Sequence, residues 1–158
     1  MTGRSGKCAM VVLAALVLLS VPPACSDNFV PELGPPLTDR CRNRDSNPDQ
    51  TVSFDRDILE GIFKTNKTCV PCHDPKGEAP YGFQQGGLNL TSWSSTMAGG
   101  ANSAADIVVP GEPCGSRLLQ KVGATPPSGS RMPLIGPPLS VTQVMLIHDW
   151  IAEGALDN

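Results

Sequence analysis

Apolar residues recur along this chain in two helical patterns and one unbroken block, separated by polar stretches rich in Gly and Pro. The first pattern is "SFDRDILEGIFKTN", Ser53 to Asn66. Phe54, Ile58 and Ile62 are four residues apart, with Leu59 and Phe63 beside them, which predicts an amphipathic α-helix. Ser53 suits its N-cap, Asp55 and Asp57 suit its positive end, and Lys64 and Lys67 suit its far end. The second pattern is "SVTQVMLIHDWIAEGA", Ser140 to Ala155. Val144, Ile147 and Ile151 form one stripe with Trp150 alongside, Ser140 is placed to cap, and Gly154 is a natural stop. His148 falls between the apolar positions and reads as a solvated residue. The region between carries Gly- and Pro-rich loops and one short helix candidate, "SRLLQKV". No segment alternates as a strand does, so the expected fold class is all-α.

The unbroken block is "AMVVLAALVLLSV", Ala9 to Val21, preceded by Arg4 and Lys7 with no acid. Its length is that of a secretory signal core and falls short of the roughly 20 apolar residues that span a bilayer. "PPACS" follows, with a cysteine after a small residue, as at a lipoprotein cleavage site. Pro22 and Pro23 depart from that pattern. The expectation is a signal peptide over 1–24, export, and a lipid anchor on Cys25 at the membrane. Residues 25–51 then read as a flexible linker, because the segment holds Pro31, Pro35, Pro36 and Pro48, mixed charges and no apolar run. The folded domain is expected over 52–158. The formal charge of -3 argues against nucleic acid as a partner.

Between the two helical patterns lies "TCVPCH", Thr68 to His73. Cys-x-x-Cys-His is the attachment sequence of a c-type haem. Cys69 and Cys72 are spaced to add to two vinyl groups of one rigid macrocycle, and His73 follows in place to ligate the iron. A zinc site needs about four ligands and normally a second Cys or His pair, which this chain lacks. A thioredoxin-like redox pair belongs in a βαβ setting, and none is visible here. Export also fits, because haem is joined to such proteins outside the cytoplasm. Only 4% of residues are aromatic, so a buried haem would supply core the side chains do not.

A haem electron carrier usually has a second axial ligand, often a methionine in a Pro-flanked loop. "GSRMPLIGPP" offers Met132, followed by Pro133 and 59 positions beyond His73. Met97 is the alternative. Met145 lies inside the last helix and reads as packing. A thioether favours reduced iron and raises the potential. Arg131 is a candidate partner for a haem propionate.

Taken in order, "SFDRDILEGIF", "CVPCH", "GGLNL", "IVVPGEPCGSRLLQKV", "RMP" and "LSVTQVMLIHDWIAEGA" resemble the class I cytochrome c domain, in the variety found in planctomycete-type and other exported bacterial proteins. The resemblance covers residues 52–158. It implies a small all-α fold, with crossing first and last helices around a haem cleft and Gly/Pro-rich loops between them. It implies that Leu88 and Leu90 lie against the ring and that Trp150 packs in the core. The implied function is one-electron transfer by a monohaem c-type cytochrome in the cell envelope, an electron carrier rather than an enzyme. Its cofactor would be one covalent haem c, and its partner an unidentified redox protein or dehydrogenase. Lys64, Lys67 and Lys76 flank the haem sequence and are candidate docking charges. Two other classes stay open: a haem enzyme or gas-binding sensor with a vacant sixth position, and a structural metal module without haem.

The chain has six cysteines. Cys8 leaves with the signal, Cys25 is the lipid candidate, and Cys69 and Cys72 are the haem pair. Cys41 and Cys114 remain, the second at a departure from the family pattern. Unpaired thiols rarely persist in an oxidising compartment, so a Cys41–Cys114 disulfide is expected.

Overall fold

A computed structural model describes residues 41–65 and 69–158. The signal segment, Cys25, most of the expected linker and Lys67 lie outside the described residues. All described residues fall in one compact unit, and no strand occurs among them. The fold is all-α. Its α-helices are α1 (Val70–His73), α2 (Tyr81–Gly86), α3 (Trp93–Ala98), α4 (Arg117–Val122) and α5 (Val141–Ala152). No helix among the described residues is long and apolar enough to cross a membrane.

The first helix differs from the expectation of an α-helix. Phe54–Phe63 is a π-helix, with five-residue bonds from Ile58 N to Ser53 O at 3.3 Å and from Lys64 N to Leu59 O at 2.9 Å. The apolar positions explain the wider coil. They come as 54, 58/59 and 62/63, repeating every four to five residues rather than every 3.6 or so. The wider turn puts all five on one buried face. Ser53 Oγ accepts from Arg56 N at 3.3 Å, and Asp57 accepts from Ser53 N at 2.9 Å.

α5 packs on this helix. Phe54, Ile58, Ile62, Phe63, Ile147, Trp150 and Ile151 are all buried there. The Phe54 ring lies 5.2 Å from Trp150 and 6.3 Å from Phe63, centroid to centroid. Burial of each such side chain is worth about 1.5–3 kcal/mol. Both indoles keep their polar edge satisfied on the last residues: Trp150 Nε1 donates to Leu156 O at 3.0 Å, and Trp93 Nε1 donates to Ala155 O at 2.7 Å. Ser140 and Gln143 cap α5 reciprocally.

The boundary expected at Val52 is corrected. Residues 41–51, assigned to the linker for want of an apolar run, are tied to the domain by polar bonds and a cross-link instead. Cys41 and Cys114 form a disulfide, with Cα atoms 5.6 Å apart. Ser46 N and Oγ donate to the Asp149 carboxylate at 3.0 and 2.6 Å. Cys114 N donates to Asn43 Oδ1 at 2.9 Å. His148 is also corrected, being buried rather than solvated. Its Nδ1 meets Asp149 Oδ1 at 2.7 Å and its Nε2 meets the Arg42 carbonyl at 2.8 Å. The strap covers the side of α5 that the helical wheel left facing water.

Burial pushes the Asp149 carboxyl up, but the two Ser46 bonds and His148 outweigh it, and the group titrates below the usual carboxylate range. Its stabilisation is therefore present above the unfolded value of about 3.9 and is lost as the pH falls through the lower folded value. Asp149→Asn is expected to cost about 1.5–3 kcal/mol near neutral pH, the worth of a hydrogen bond to a charged group. Urea unfolding at a series of pH values checks this. Below about pH 4 the wild type should approach the variant; a constant gap down to strong acid would show that Asp149 does not hold the strap by its charge.

Candidate cofactor site

The residues from Cys69 to His73 leave the first helix as a single helical turn. Cys69 N is bonded to Phe63 O at 3.2 Å, and His73 N closes the turn on Cys69 O at 3.0 Å. Pro71 falls in the first positions of α1, where its missing N–H costs nothing. This turn brings Cys69, Cys72 and His73 to one wall of a cleft of about 730 Å³. Neither of these two cysteines is in a disulfide.

His73 is half-buried, and its Nδ1 lies 3.2 Å from the Leu88 carbonyl. A carbonyl only accepts, so Nδ1 carries the proton in this bond. The Nε2 lone pair is left for another partner, the arrangement typical of metal-bound imidazoles. Burial lowers the His73 pKa, against a smaller upward pull from the Leu88 bond. The ring is thereby kept neutral, as a metal ligand must be. Leu90 N donates to His73 O at 2.9 Å, so "GGLNL" grips the histidine from both its side chain and its backbone.

Glycine is required at two points here. Gly87, at φ +67°, ends α2 in the left-handed region and turns the chain toward Leu88. Gly82 closes α2 over the imidazole. A Cβ there would stand 2.7 Å from His73 Cε1, 2.8 Å from Nε2 and 2.9 Å from Cys72 O. Sequence reasoning missed Gly82 and the role of the Leu88 carbonyl. The only available signal was the clustering of glycines after the motif.

The far wall comes from α4 and the loop after it. Leu118, Val122 and Met132 line the cleft, together with Leu88, Leu90 and Ile107. Met132 N is fixed by a 2.7 Å bond to Lys121 O, and the Met132–Pro133 peptide is cis. Met97 packs against the core outside the cleft lining. Met145 lines a separate hollow of about 910 Å³ beneath the strap, with Cys41, Cys114 and His148. That hollow is larger but offers neither thiols nor His73. Arg131 Nε donates to Val122 O at 3.2 Å and is not part of the cleft wall. Lys64 is paired with Glu60, so little of its charge is left for docking, whereas Lys76 is exposed.

The cleft fits a haem. Its volume lies in the range of cofactor sites, roughly 300–1,000 Å³. Its wall is mainly apolar, with two thiols, one oriented imidazole and one thioether. Among the described residues no group of three or more His, Cys, Asp or Glu side chains is placed to hold a bare metal ion.

Residues 69–133 match the family model described as Planctomycete cytochrome C. The match supports a cytochrome c domain over these residues. The match opens on Cys69 and closes on Pro133, so it spans the thiols, the imidazole and Met132. A match to that family supports a haem-binding, electron-transfer reading of residues 69–133. No curated protein and no solved structure matches the chain.

Proposed function

We propose that this cytochrome c domain carries a single haem and acts as a one-electron carrier in the bacterial cell envelope. Cys69 and Cys72 would hold the haem, each thiol adding S–H across one vinyl group so that sulfur bonds to one vinyl carbon and hydrogen to its neighbour. His73 Nε2 and the Met132 sulfur would hold its iron. Bound haem supplies the one-electron iron couple. The chain's part is to hold both ligands, exclude water with the leucine-rich walls and favour the reduced state through the thioether. The observation that carries this reading is the convergence of Cys69, Cys72, His73 and Met132 on one cleft from segments 59 positions apart. Leu88 and Leu90, which line the cleft with His73, would pack against the ring.

Haem staining of a denatured gel tests the attachment, on protein matured with the haem-attachment machinery. Wild type should retain haem, and Cys69→Ala with Cys72→Ala should lose it completely. Covalent haem persisting in the double variant would refute the two thioethers.

A redox protein or dehydrogenase is the proposed partner, docking at the cleft mouth, where Tyr81, Leu134 and Ile135 stand exposed. Lys76 is the remaining described lysine beside the motif. Export and a lipid anchor at Cys25 complete the proposal. Several acyl chains there would give stable membrane association. Cys25→Ser should move the protein to the soluble fraction or block its processing. A soluble wild type with no lipid mass on its N-terminal peptide would exclude the anchor.

A further inference from the structure

The cleft wall is biased in charge. Among the described residues two cations line it, Arg117 and Lys121, and no Asp or Glu does. The whole chain is acidic, with a formal charge of -3, so overall composition does not account for the bias. Both cations stand on α4, four residues apart, and hence on one helix face. α4 is firmly placed. Leu118, Leu119 and Val122 are buried, and the buried Ser116 hydroxyl before the helix accepts from Val109 N at 2.8 Å. Lys121 is half-buried and uses one donor on Ser128 O at 3.0 Å, leaving two of its three. Arg117 is exposed at the cleft and takes part in none of the ion pairs among the described residues. Arg131, the candidate from sequence, does not line the cleft.

We propose that Arg117 and Lys121 form a carboxylate clamp that binds a haem propionate, Arg117 as a planar fork and Lys121 as a point charge. This rests on the haem reading of the cleft. A macrocycle held by thioethers along one edge and by carboxylates along another can enter in one orientation only. Without the clamp, nothing else of positive charge on the cleft wall would meet its anionic edge. The same two charges would favour the ferrous state, because positive charge near the iron offsets the added electron.

The test uses the haem-loaded full chain and the variants Arg117→Gln, Lys121→Gln, their double and Arg117→Lys, with Arg44→Gln as an equal charge change on the strap. Covalent haem mass and the sulfur-to-iron band should be as in wild type, which keeps the haem reading separate from the clamp. The propionate bending band in resonance Raman should shift in each Gln variant. The midpoint potential should fall in each, fall further in the double, and change least in Arg44→Gln. Arg117→Lys should restore most of the potential without restoring the band fully. Should Arg117→Gln fail to mature, Arg117→Lys and Lys121→Gln decide by the same two readouts. A haem-loaded double variant with an unmoved bending band, and a potential matching Arg44→Gln, would overturn the clamp. A wild type without covalent haem would instead overturn the haem reading, and the clamp with it.

Discussion

Met132→Ala in the haem-loaded protein is expected to abolish the weak far-red sulfur-to-iron absorption, lower the midpoint potential and open the iron to carbon monoxide. Axial ligation spreads haem potentials over about 0.8 V, and exchange of a thioether for water moves the couple toward the oxidised side. The thioether is soft and stabilises ferrous iron, so its loss removes a preference that no other cleft residue can replace. Met97 packs outside the cleft lining and Met145 lines the separate hollow, so neither is placed to substitute. Met97→Ala should therefore leave the band and the potential near wild type. Carbon monoxide titration separates the competing function class. A His/Met carrier binds the gas poorly until Met132 is removed. A wild type that binds it readily, with no change on Met132→Ala, would mark a sensor or enzyme with an open position. Loss of the band in Met97→Ala would instead assign the thioether to the wrong methionine.

Removing the Cys41–Cys114 cross-link is expected to cost about 4 kcal/mol. The closed loop spans 73 positions, and the chain-entropy relation gives a loop of that length about 4 kcal/mol of denatured-state restriction. That is a large share of the roughly 5–15 kcal/mol that holds a domain of this kind together. The double variant Cys41→Ser with Cys114→Ser avoids leaving a lone thiol. At an m-value of about 2 kcal/mol/M its urea midpoint should drop by roughly 2 M. The strap should loosen as well, because what then holds it are hydrogen bonds worth about 1 kcal/mol for the neutral ones through Asn43 and the Arg42 carbonyl and about 1.5–3 kcal/mol for those from Ser46 to the Asp149 carboxylate. Hydrogen exchange at Ser46 and Cys114 should rise more than at Trp150. A midpoint within about 0.3 M of wild type, a shift of under 1 kcal/mol, would show that the denatured chain gains little freedom when the bridge is lost.

The residues proposed to carry covalent chemistry stand out in the sequence because their spacing would be dictated by a rigid object. Two thiols and an imidazole in five consecutive residues need no knowledge of the fold. The two long helices were legible for a similar reason, since each must bury one face and the apolar positions mark it. The form of the first helix was not, although 54, 58/59 and 62/63 held the hint. A repeat between four and five residues is easily taken for a slack α period. Arg117 and Lys121 were passed over because an exposed cation four residues from another usually marks only a solvated helix face, and which face meets the cleft depends on how α4 docks. Arg131 stands next to Met132 in sequence yet does not line the cleft, since nearness in sequence does not set where a long side chain points.

The sequence by itself determined the haem motif, the all-α character and the order of the pieces, since all three follow from local spacing and periodicity. Tertiary structure decided what no local pattern encodes. It selected the cleft wall on which Met132 stands, and it brought the Leu88 carbonyl to His73 Nδ1. It also left no room for a side chain at Gly82. It drew residues 41–51 from the linker into the domain and buried His148 beneath them. Each of these is a contact between segments far apart in the chain or a close approach of two surfaces. Such contacts arise only once the apolar faces have packed and the remaining polar groups must find partners where water has been excluded.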